Sequence, residues 1–363
     1  MSTSYWNYIK VEELLAIQNG SAGDESELSN EEVLFITVHQ IHELWFKLVL
    51  RDLSSTRDLF LLDVVPETSL ATATRSLRRS SRVLRFAADH FGLVETMTTR
   101  DFLDFRDKLS PASGYQSAQF REIELLLGLK AEERIPFGED TTWLDVLREE
   151  DGSHSPASRR VEARMQEKAT LKSAVEGWLY RTPIDGSKPD QAGDEQSVRQ
   201  FLEQFLTKHA EEMDAARSHA RFPTLTPRDL GRLERRFEGE KQSARDFLLC
   251  EDPRQRRLRA SMLFVESYRE LPLLAWPREI LDLLIDIEQA WLIFRQRHAR
   301  MVERMIGRRI GTGGSDGVGY LDETALRYRV FPDLWQIRTI LVRTKQIPEL
   351  HHREQYLFRA DDE

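Results

Sequence analysis

Apolar residues recur with the period of an α-helix along almost the whole chain. In the first third, Leu34, Val38, Ile41, Trp45 and Leu48 follow one another at spacings of 4, 3, 4 and 3 residues. In the last third, the same kind of spacing joins six residues: Ile287, Trp291, Phe294, His298, Met301 and Met305. Residues at these spacings share one face of a helix. No segment shows the sustained two-residue alternation of a strand, so the sequence predicts an all-α fold, a helical bundle.

Composition restricts the class of protein. Hydrophobic residues make up 40% and charged residues of both signs 31% of the 363 residues, which excludes a disordered chain. The formal net charge of −9 argues against a nucleic-acid binder, and a single cysteine excludes intramolecular disulfides and cysteine-cluster zinc sites. We expect no signal peptide and no membrane-spanning segment, because even residues 280–294 include three acidic residues. The sequence predicts a cytoplasmic protein.

Helix start and stop signals are spread along the chain. Two capping-box patterns, Ser29 with Glu32 and Thr98 with Asp101, indicate helix starts. Two glycines, Gly128 and Gly307, indicate helix ends. The polar stretch 182–197 fits either a domain linker or a loop between helices of one bundle. The charged segment 198–247 that follows has too few apolar positions for a core of its own. We therefore predict a single helical domain over residues 1–363, with a charged helical insertion at about 183–260.

A second stripe of residues runs beside the apolar one in the first long helix. Phe35, His39, His42 and Phe46 lie at i, i+4, i+7 and i+11. A zinc site is disfavoured because His42 and Glu43 are separated by about 100° around a helix, so these two and His39 cannot all face one ion. Two interpretations stay open: a half-buried histidine that bonds a neighbouring group, and a polar group that faces a ligand between aromatic walls.

Arg106 shares a helical face with Phe102, Phe105 and Leu109. An arginine on an apolar stripe is costly unless its guanidinium group finds an anion or reaches water. The sequence is compatible with a salt bridge to a neighbouring helix, with a side chain whose charged end lies in water, and with a clamp for a carboxylate or phosphate of a ligand.

His298 lies directly in the last apolar stripe, between Phe294 and Met301. A packed core histidine and a haem ligand need the same setting, one imidazole among large apolar side chains on a rigid helix. The glycine-rich segment 311–319 does not match a nucleotide-binding fingerprint and lacks the lysine of a P-loop. A loop whose backbone approaches a bound ligand, with Thr312 as its hydrogen-bonding group, fits it better.

Several long segments, in order along the chain, match one protein family. They are Tyr5-Trp-Asn-Tyr8 with Leu14, Leu15 and Gln18, LFITVHQIHELWFK at 34–47, FLDFRDKLSPASGYQSAQFREIE at 102–124, FRQRHARMVERMIG at 294–307, GTGGSDG at 311–317 and YLDETALRYRVFPDLW at 320–335. With these segments the chain resembles the tryptophan 2,3-dioxygenase family of haem enzymes.

The resemblance implies an all-α fold that holds haem b between helices, and a homotetramer. It implies oxidative opening of the indole C2–C3 bond of L-tryptophan with O2 to give N-formylkynurenine, the first step of the kynurenine pathway of tryptophan catabolism. It also implies that His298 is the proximal ligand of the haem iron, that Arg106 clamps the substrate carboxylate, and that His39 forms a hydrogen bond with the indole N–H.

Further residues acquire roles by the same resemblance. Phe35, Ile36, Thr37 and Val38 belong to the distal stretch over the substrate, together with His39. The resemblance places Phe102 and Leu109 in the pocket walls and Thr312 near the substrate ammonium group. The resemblance places Ser113, Gly114 and Arg121 near the haem edge and its propionates. It also implies that Tyr5 and Tyr8 reach the site of a neighbouring subunit.

The chain departs from the family's pattern at several positions. Asn30-Glu31-Glu32 replaces His-Asp-Glu, His42 replaces a tyrosine, Phe294 a tryptophan and Glu303 a histidine, and Val318-Gly319 replaces a more aromatic end of the glycine loop. These departures leave open a haem-dependent monooxygenase or dioxygenase that acts on a modified tryptophan in a biosynthetic pathway. A helical scaffold without haem is the non-enzyme alternative, against which His298, Arg106 and His39 together argue.

Overall fold

The computed structural model of the protein describes residues 4–21, 23–109, 116–136, 142–149, 151–219, 225–310 and 317–358. In these ranges the chain is helical, and the only β-type pairing is an isolated bridge between Ile184 and Ser187. The prediction of an all-α fold is confirmed. The helices described are α1 (Tyr5–Tyr8), α2 (Val11–Leu15), α3 (Asn30–Phe60), α4 (Glu67–Val94), α5 (Thr99–Arg106), α6 (Ala118–Leu127), α7 (Pro156–Met165), α8 (Leu171–Tyr180), α9 (Asp194–His219), α10 (Pro227–Leu248), α11 (Pro253–Ser267), α12 (Ala275–Ile306), α13 (Val318–Arg327) and α14 (Pro332–Ile340).

The predicted start and stop signals lie at helix ends. Thr98 caps α5 in a full capping box, in which its hydroxyl accepts the Asp101 N–H and the Asp101 carboxylate accepts the Thr98 N–H. At α3, Ser29 Oγ accepts the Glu32 N–H at 3.1 Å, but the Glu32 carboxylate pairs with a lysine instead of closing the box. Gly128 and Gly307 follow α6 and α12 with φ of 121° and 61°, values that favour glycine.

Two compact units make up the chain. The first comprises residues 1–55, 76–171 and 286–330. On α12 the apolar members of the predicted stripe are all buried, namely Ile287, Trp291, Phe294, Met301 and Met305. On α3 only Val38 of the predicted apolar stripe is buried, and the buried face runs instead through Phe46, Val49 and Leu53. This unit contains every described residue for which the sequence predicts a role in the site.

The second unit comprises residues 56–75, 172–285 and 331–363. On α9 five apolar side chains are buried, Val198, Phe201, Leu202, Phe205 and Leu206. The buried Arg257 of α11 donates hydrogen bonds to the Asp194 carboxylate and to the carbonyls of Tyr180 and Thr182. The stretch 182–193 therefore connects α8 to α9 as a loop tied within this unit. The single domain with an insertion at about 183–260 stays a prediction.

By length and composition alone, α3 is apolar enough to cross a membrane. An 18-residue window of this helix has a mean hydropathy of 1.3, and 28% of that window is buried. The sequence predicts no membrane-spanning segment because no uninterrupted apolar run is long enough to cross a bilayer. A mean hydropathy over 18 residues can be high even where charged residues interrupt the apolar ones. A core helix of a soluble protein meets the same criterion, and α3 carries the buried polar side chains of His42 and Asp52.

Candidate functional site

A cavity of about 450 Å³ opens in the first unit, within the size range of pockets for small molecules and cofactors. Its walls come from α3, α4, α5, α6, α12 and α13 and from the turn that follows α5. Most of the lining is aromatic or aliphatic, with polar groups at a few places. The aromatic and histidine members of the lining are Phe35, His39, His42, Phe46, Phe91, Phe102, Phe120, Phe294, His298 and Tyr320.

His39 lies on the wall that α3 contributes. Its Nδ1 lies 2.7 Å from the Phe35 carbonyl oxygen, and a carbonyl can only accept, so Nδ1 carries the proton. Burial lowers the pKa of His39, partly offset by the bond to Phe35 and by the charge of Glu43, so the ring is neutral. Nε2 then holds a lone pair. His39 is thus a hydrogen-bond acceptor, beside the Phe35 ring at 4.0 Å between centroids.

His298 lines the same cavity from α12. Its ring stacks on Phe91, with 5.2 Å between centroids and 16° between planes. Burial, with smaller contributions from the nearby His39 and Arg295, lowers the pKa of His298 to about 4. The structure shows no hydrogen bond to either of its ring nitrogens in the ranges described. A neutral imidazole with a free lone pair on a rigid helix is the donor that haem iron takes as an axial ligand.

Arg106 ends α5 and is half-buried in the cavity lining. Its Nη2 donates to the Ile310 carbonyl oxygen, and no carboxylate pairs with it among the described residues. The salt bridge to a neighbouring helix, one of the three interpretations left open by the sequence, is therefore not found there. A guanidinium group carries five N–H donors, so Arg106 has donors left for an anion in the cavity.

Glu43 and His42 turn to other partners. The Glu43 carboxylate accepts hydrogen bonds from Ser117 Oγ and, at 2.7 Å, from Gln119 Nε2. His42 Nε2 lies 2.8 Å from the Ala87 carbonyl oxygen, and burial with the charge of His39 lowers the pKa of His42 to about 3. No cluster of three or more potential metal ligands occurs in the described part of the chain.

Three buried arginines, Arg121, Arg134 and Arg295, converge on one buried carboxylate, that of Glu124. Arg121 Nη1 lies 3.2 Å from Glu124 Oε2, while Arg134 and Arg295 each bond one oxygen of the same carboxylate. Burial raises the pKa of the Glu124 carboxyl, but attraction by the three cations outweighs it and holds that pKa well below its usual range. Arg121 and Arg295 line the cavity, whereas Glu124 and Arg134 lie behind them.

The donor set fits haem, which the resemblance implies. Haem needs one axial imidazole, apolar faces for the macrocycle and positive charge for its two carboxylates. His298 supplies the first, and Phe91, Met301 and Met305 contribute to the second. The cluster around Glu124 carries three positive charges against one negative, and Arg295 Nε is buried without an acceptor among the described residues. An anionic group in the cavity would be attracted by the net positive charge of the cluster.

The structure describes twelve of the fifteen predicted site residues and brings seven of them to this cavity. These seven line it: Phe35, His39, Phe102, Arg106, Leu109, Arg121 and His298. Ile36, Thr37 and Val38 do not, because they point to other sides of α3, and Val38 is buried in the core at 1% exposure. Ser113, Gly114 and Thr312 lie outside the described residues. Tyr5 and Tyr8 on α1 are exposed by 75% and 79% and do not line the cavity.

Sequence reasoning missed part of the lining. Arg295 lies one turn before His298 in the segment FRQRH, a spacing that places both on one helix face. Phe120 lies one turn after Ser117 on the same helix face, and both residues line the cavity. Phe91 carried no signal beyond an apolar period. The arginine cluster around Glu124 could not be recognised, because two of its three partners, Arg134 and Arg295, are 10 and 171 residues away.

Comparison with known proteins gives a consistent result. The family model described as Tryptophan 2,3-dioxygenase matches residues 1–341. A tryptophan 2,3-dioxygenase from Sorangium cellulosum is 52% identical over 368 residues, covering 99% of this chain and 88% of that protein. Tryptophan 2,3-dioxygenase 2 from Ralstonia nicotianae is 51% identical, covering 99% and 98%. A tryptophan 2,3-dioxygenase from Anopheles gambiae is 33% identical, covering 97% and 88%. These matches over nearly the whole chain show that it belongs to the tryptophan 2,3-dioxygenase family.

Proposed function

We propose that this protein is a haem-dependent dioxygenase that opens the indole C2–C3 bond of L-tryptophan with O2 to give N-formylkynurenine. The observation that carries the proposal is the arrangement of three groups around one aromatic cavity: neutral His298, neutral His39 and Arg106. The names of the Sorangium and Ralstonia relatives support the same activity. The proposed role is catabolic.

In this proposal His298 holds the haem iron, and Arg121 lies at the edge where the haem carboxylates bind. When bound, haem b supplies the activation of O2 that amino-acid side chains cannot provide. The apolar lining keeps water from the reacting atoms and offers flat faces to the macrocycle and to an indole ring. Ser113 and Gly114 are proposed at the same haem edge.

Two groups orient the substrate. His39 Nε2 accepts a hydrogen bond from the indole N–H, as its protonated Nδ1 requires. Arg106 binds the carboxylate through charge-assisted hydrogen bonds, which are stronger than neutral ones. Phe35, Phe102 and Leu109 form the walls around the indole, and Thr312 binds near the ammonium group. Two fixed ends on one molecule restrict its rotation, which is the main contribution a protein can make to such a reaction.

The assembly completes the site. We propose a cytoplasmic homotetramer in which Tyr5 and Tyr8 of one subunit reach the site of a neighbour. Tyr5 and Tyr8 are highly exposed. This supports docking onto another surface, because exposed groups of large aromatic side chains often mark protein–protein contacts. The insertion at about residues 183–260 has no role in the chemistry proposed.

The test is a product analysis. The purified protein, loaded with haem and reduced without oxygen, should show a Soret band, and then convert L-tryptophan after O2 is added. A product that is heavier by two oxygen atoms, with both atoms derived from ¹⁸O2, supports ring opening. A product that has gained one oxygen atom points to the monooxygenase alternative. The absence of a Soret band in protein that folds contradicts the proposal altogether.

A further inference from the structure

The cavity wall formed by Arg121 and Arg295 depends on a residue that does not itself reach the cavity. Glu124 is 1% exposed, lies one turn after Arg121 on α6, and bonds the guanidinium groups of Arg121, Arg134 and Arg295. Only the first and last of these line the cavity. One carboxylate thus connects α6, α12 and the segment that follows α6.

The arginine side chains are also held from the other side. The Arg295 guanidinium packs over the rings of Tyr328, at 4.8 Å, and Phe120, at 5.2 Å. Arg134 packs over the Trp143 ring at 4.2 Å. Cation–π contacts of this kind fix the plane of a guanidinium group but do not remove its charge. The carboxylate is therefore the group that decides which nitrogen atoms turn away from the cavity and which remain for a ligand.

The charges do not cancel within the cluster. Glu124 supplies one negative charge against the three positive charges of Arg121, Arg134 and Arg295. Arg295 Nε is buried without an acceptor in the described ranges. Because Arg121 and Arg295 line the cavity, the net positive charge of the cluster attracts an anionic ligand edge to this wall.

We propose that Glu124 is a positioning residue, which holds Arg121 and Arg295 so that they bind the two carboxylates of the porphyrin. This inference rests on the proposed function, since it assumes that the cavity takes haem. It predicts that the protein distinguishes haem from its dimethyl ester, in which both carboxylates are neutral, and that the distinction depends on Glu124.

The chain offers a matched control on the same helix. Glu122 is 4% exposed, close to Glu124, and pairs with two arginines, Arg160 at 2.8 Å and Arg164 at 3.2 Å. None of these three residues lines the cavity. Glu122→Gln therefore removes a buried carboxylate with two arginine partners, as Glu124→Gln does with three, but without touching the cavity wall.

The experiment compares wild type, Glu124→Gln and Glu122→Gln, each as the full chain loaded with iron protoporphyrin IX or with its dimethyl ester. The rate of porphyrin release to excess apomyoglobin is followed in the Soret region. In wild type the ester should leave about 10- to 100-fold faster than haem, the loss expected when charge-assisted hydrogen bonds become neutral ones. Glu122→Gln should keep this ratio. Glu124→Gln should reduce it to about one, mainly through faster release of haem.

Each result has a consequence. A Glu124→Gln variant that is folded by circular dichroism and keeps the wild-type ratio overturns the inference, while the proposed function stands. If Glu124→Gln does not fold, Glu124→Asp decides: its charge remains but its shorter side chain cannot reach all three arginines, so a reduced ratio supports the inference and a wild-type ratio overturns it. Wild type that binds neither porphyrin contradicts the proposed function as well.

Discussion

Arg106 and His39 are proposed to hold opposite ends of the substrate, and the structure predicts very different costs for losing them. Arg106→Leu leaves a substrate carboxylate without its partner in a cavity with apolar walls. Removing one member of a desolvated charge pair costs on the order of 2–5 kcal/mol. Because Arg106 is half-buried and water can reach part of it, we expect the lower part of that range, about 2–3 kcal/mol.

His39 contributes less by the same reasoning. It accepts one hydrogen bond from a neutral N–H, which is worth roughly 0.5–1.5 kcal/mol. Expressed as kcat/KM for L-tryptophan, Arg106→Leu should lose roughly 30- to 150-fold, whereas His39→Ala should lose about 2- to 13-fold and still open the ring. Arg100→Leu serves as the matched control, since Arg100 is an exposed arginine on the same helix α5 and does not line the cavity.

The assay is steady-state oxidation of L-tryptophan and of tryptamine, which lacks the carboxylate. Tryptamine should be a poor substrate for wild type, and Arg106→Leu should change its kcat/KM little. Loss of all turnover in His39→Ala, with a mild effect in Arg106→Leu, would refute the reasoning. In that case His39 would act as an obligatory base, and the carboxylate would bind elsewhere.

Three further perturbations test other parts of the site. His298→Ala should fold and purify largely without haem, because the iron loses its axial imidazole; full haem occupancy with an unchanged absorption spectrum would contradict this. Deleting residues 1–10 should raise KM strongly and loosen the tetramer in sedimentation experiments, because Tyr5 and Tyr8 no longer dock on a neighbour, and normal kinetics on an intact tetramer would argue against that docking. The folded-state pKa of His42, about 3, lies below its unfolded value of about 6.5, so the unfolded chain binds more protons between these values and stability falls as the pH drops below about 6.5. At pH 4.5 this costs roughly 2–3 kcal/mol of unfolding free energy. Between pH 6.5 and 4.5, denaturant titrations should therefore show a smaller decrease in unfolding free energy for His42→Asn than for wild type. An equal decrease in both proteins would exclude His42 as the cause.

The fold class and many of the site residues could be predicted from local patterns. Helical spacing is a property of nearby residues, so the stripe through Phe294 indicated a helix face that is largely buried, and Thr98 with Asp101 indicated a helix start. The resemblance to the family pointed to His298, Arg106 and His39, and all three line the cavity. The resemblance assigned Ile36, Thr37 and Val38 to the same stretch as Phe35. Phe35 lines the cavity, whereas these three residues do not.

Only the tertiary structure decided which groups satisfy one another. Arg106 donates a hydrogen bond to the carbonyl of Ile310, which lies 204 positions away, and no carboxylate pairs with it among the described residues. The proton of His39 is placed by a carbonyl within its own helix, but that of His42 is placed by Ala87 on another helix. The position of Glu124 at the centre of an arginine cluster follows only from the tertiary structure, in which Arg295 of α12 bonds its carboxylate. Hydrogen bonds and ion pairs act over a few ångströms between residues distant in sequence, and a local period contains no information about such approaches.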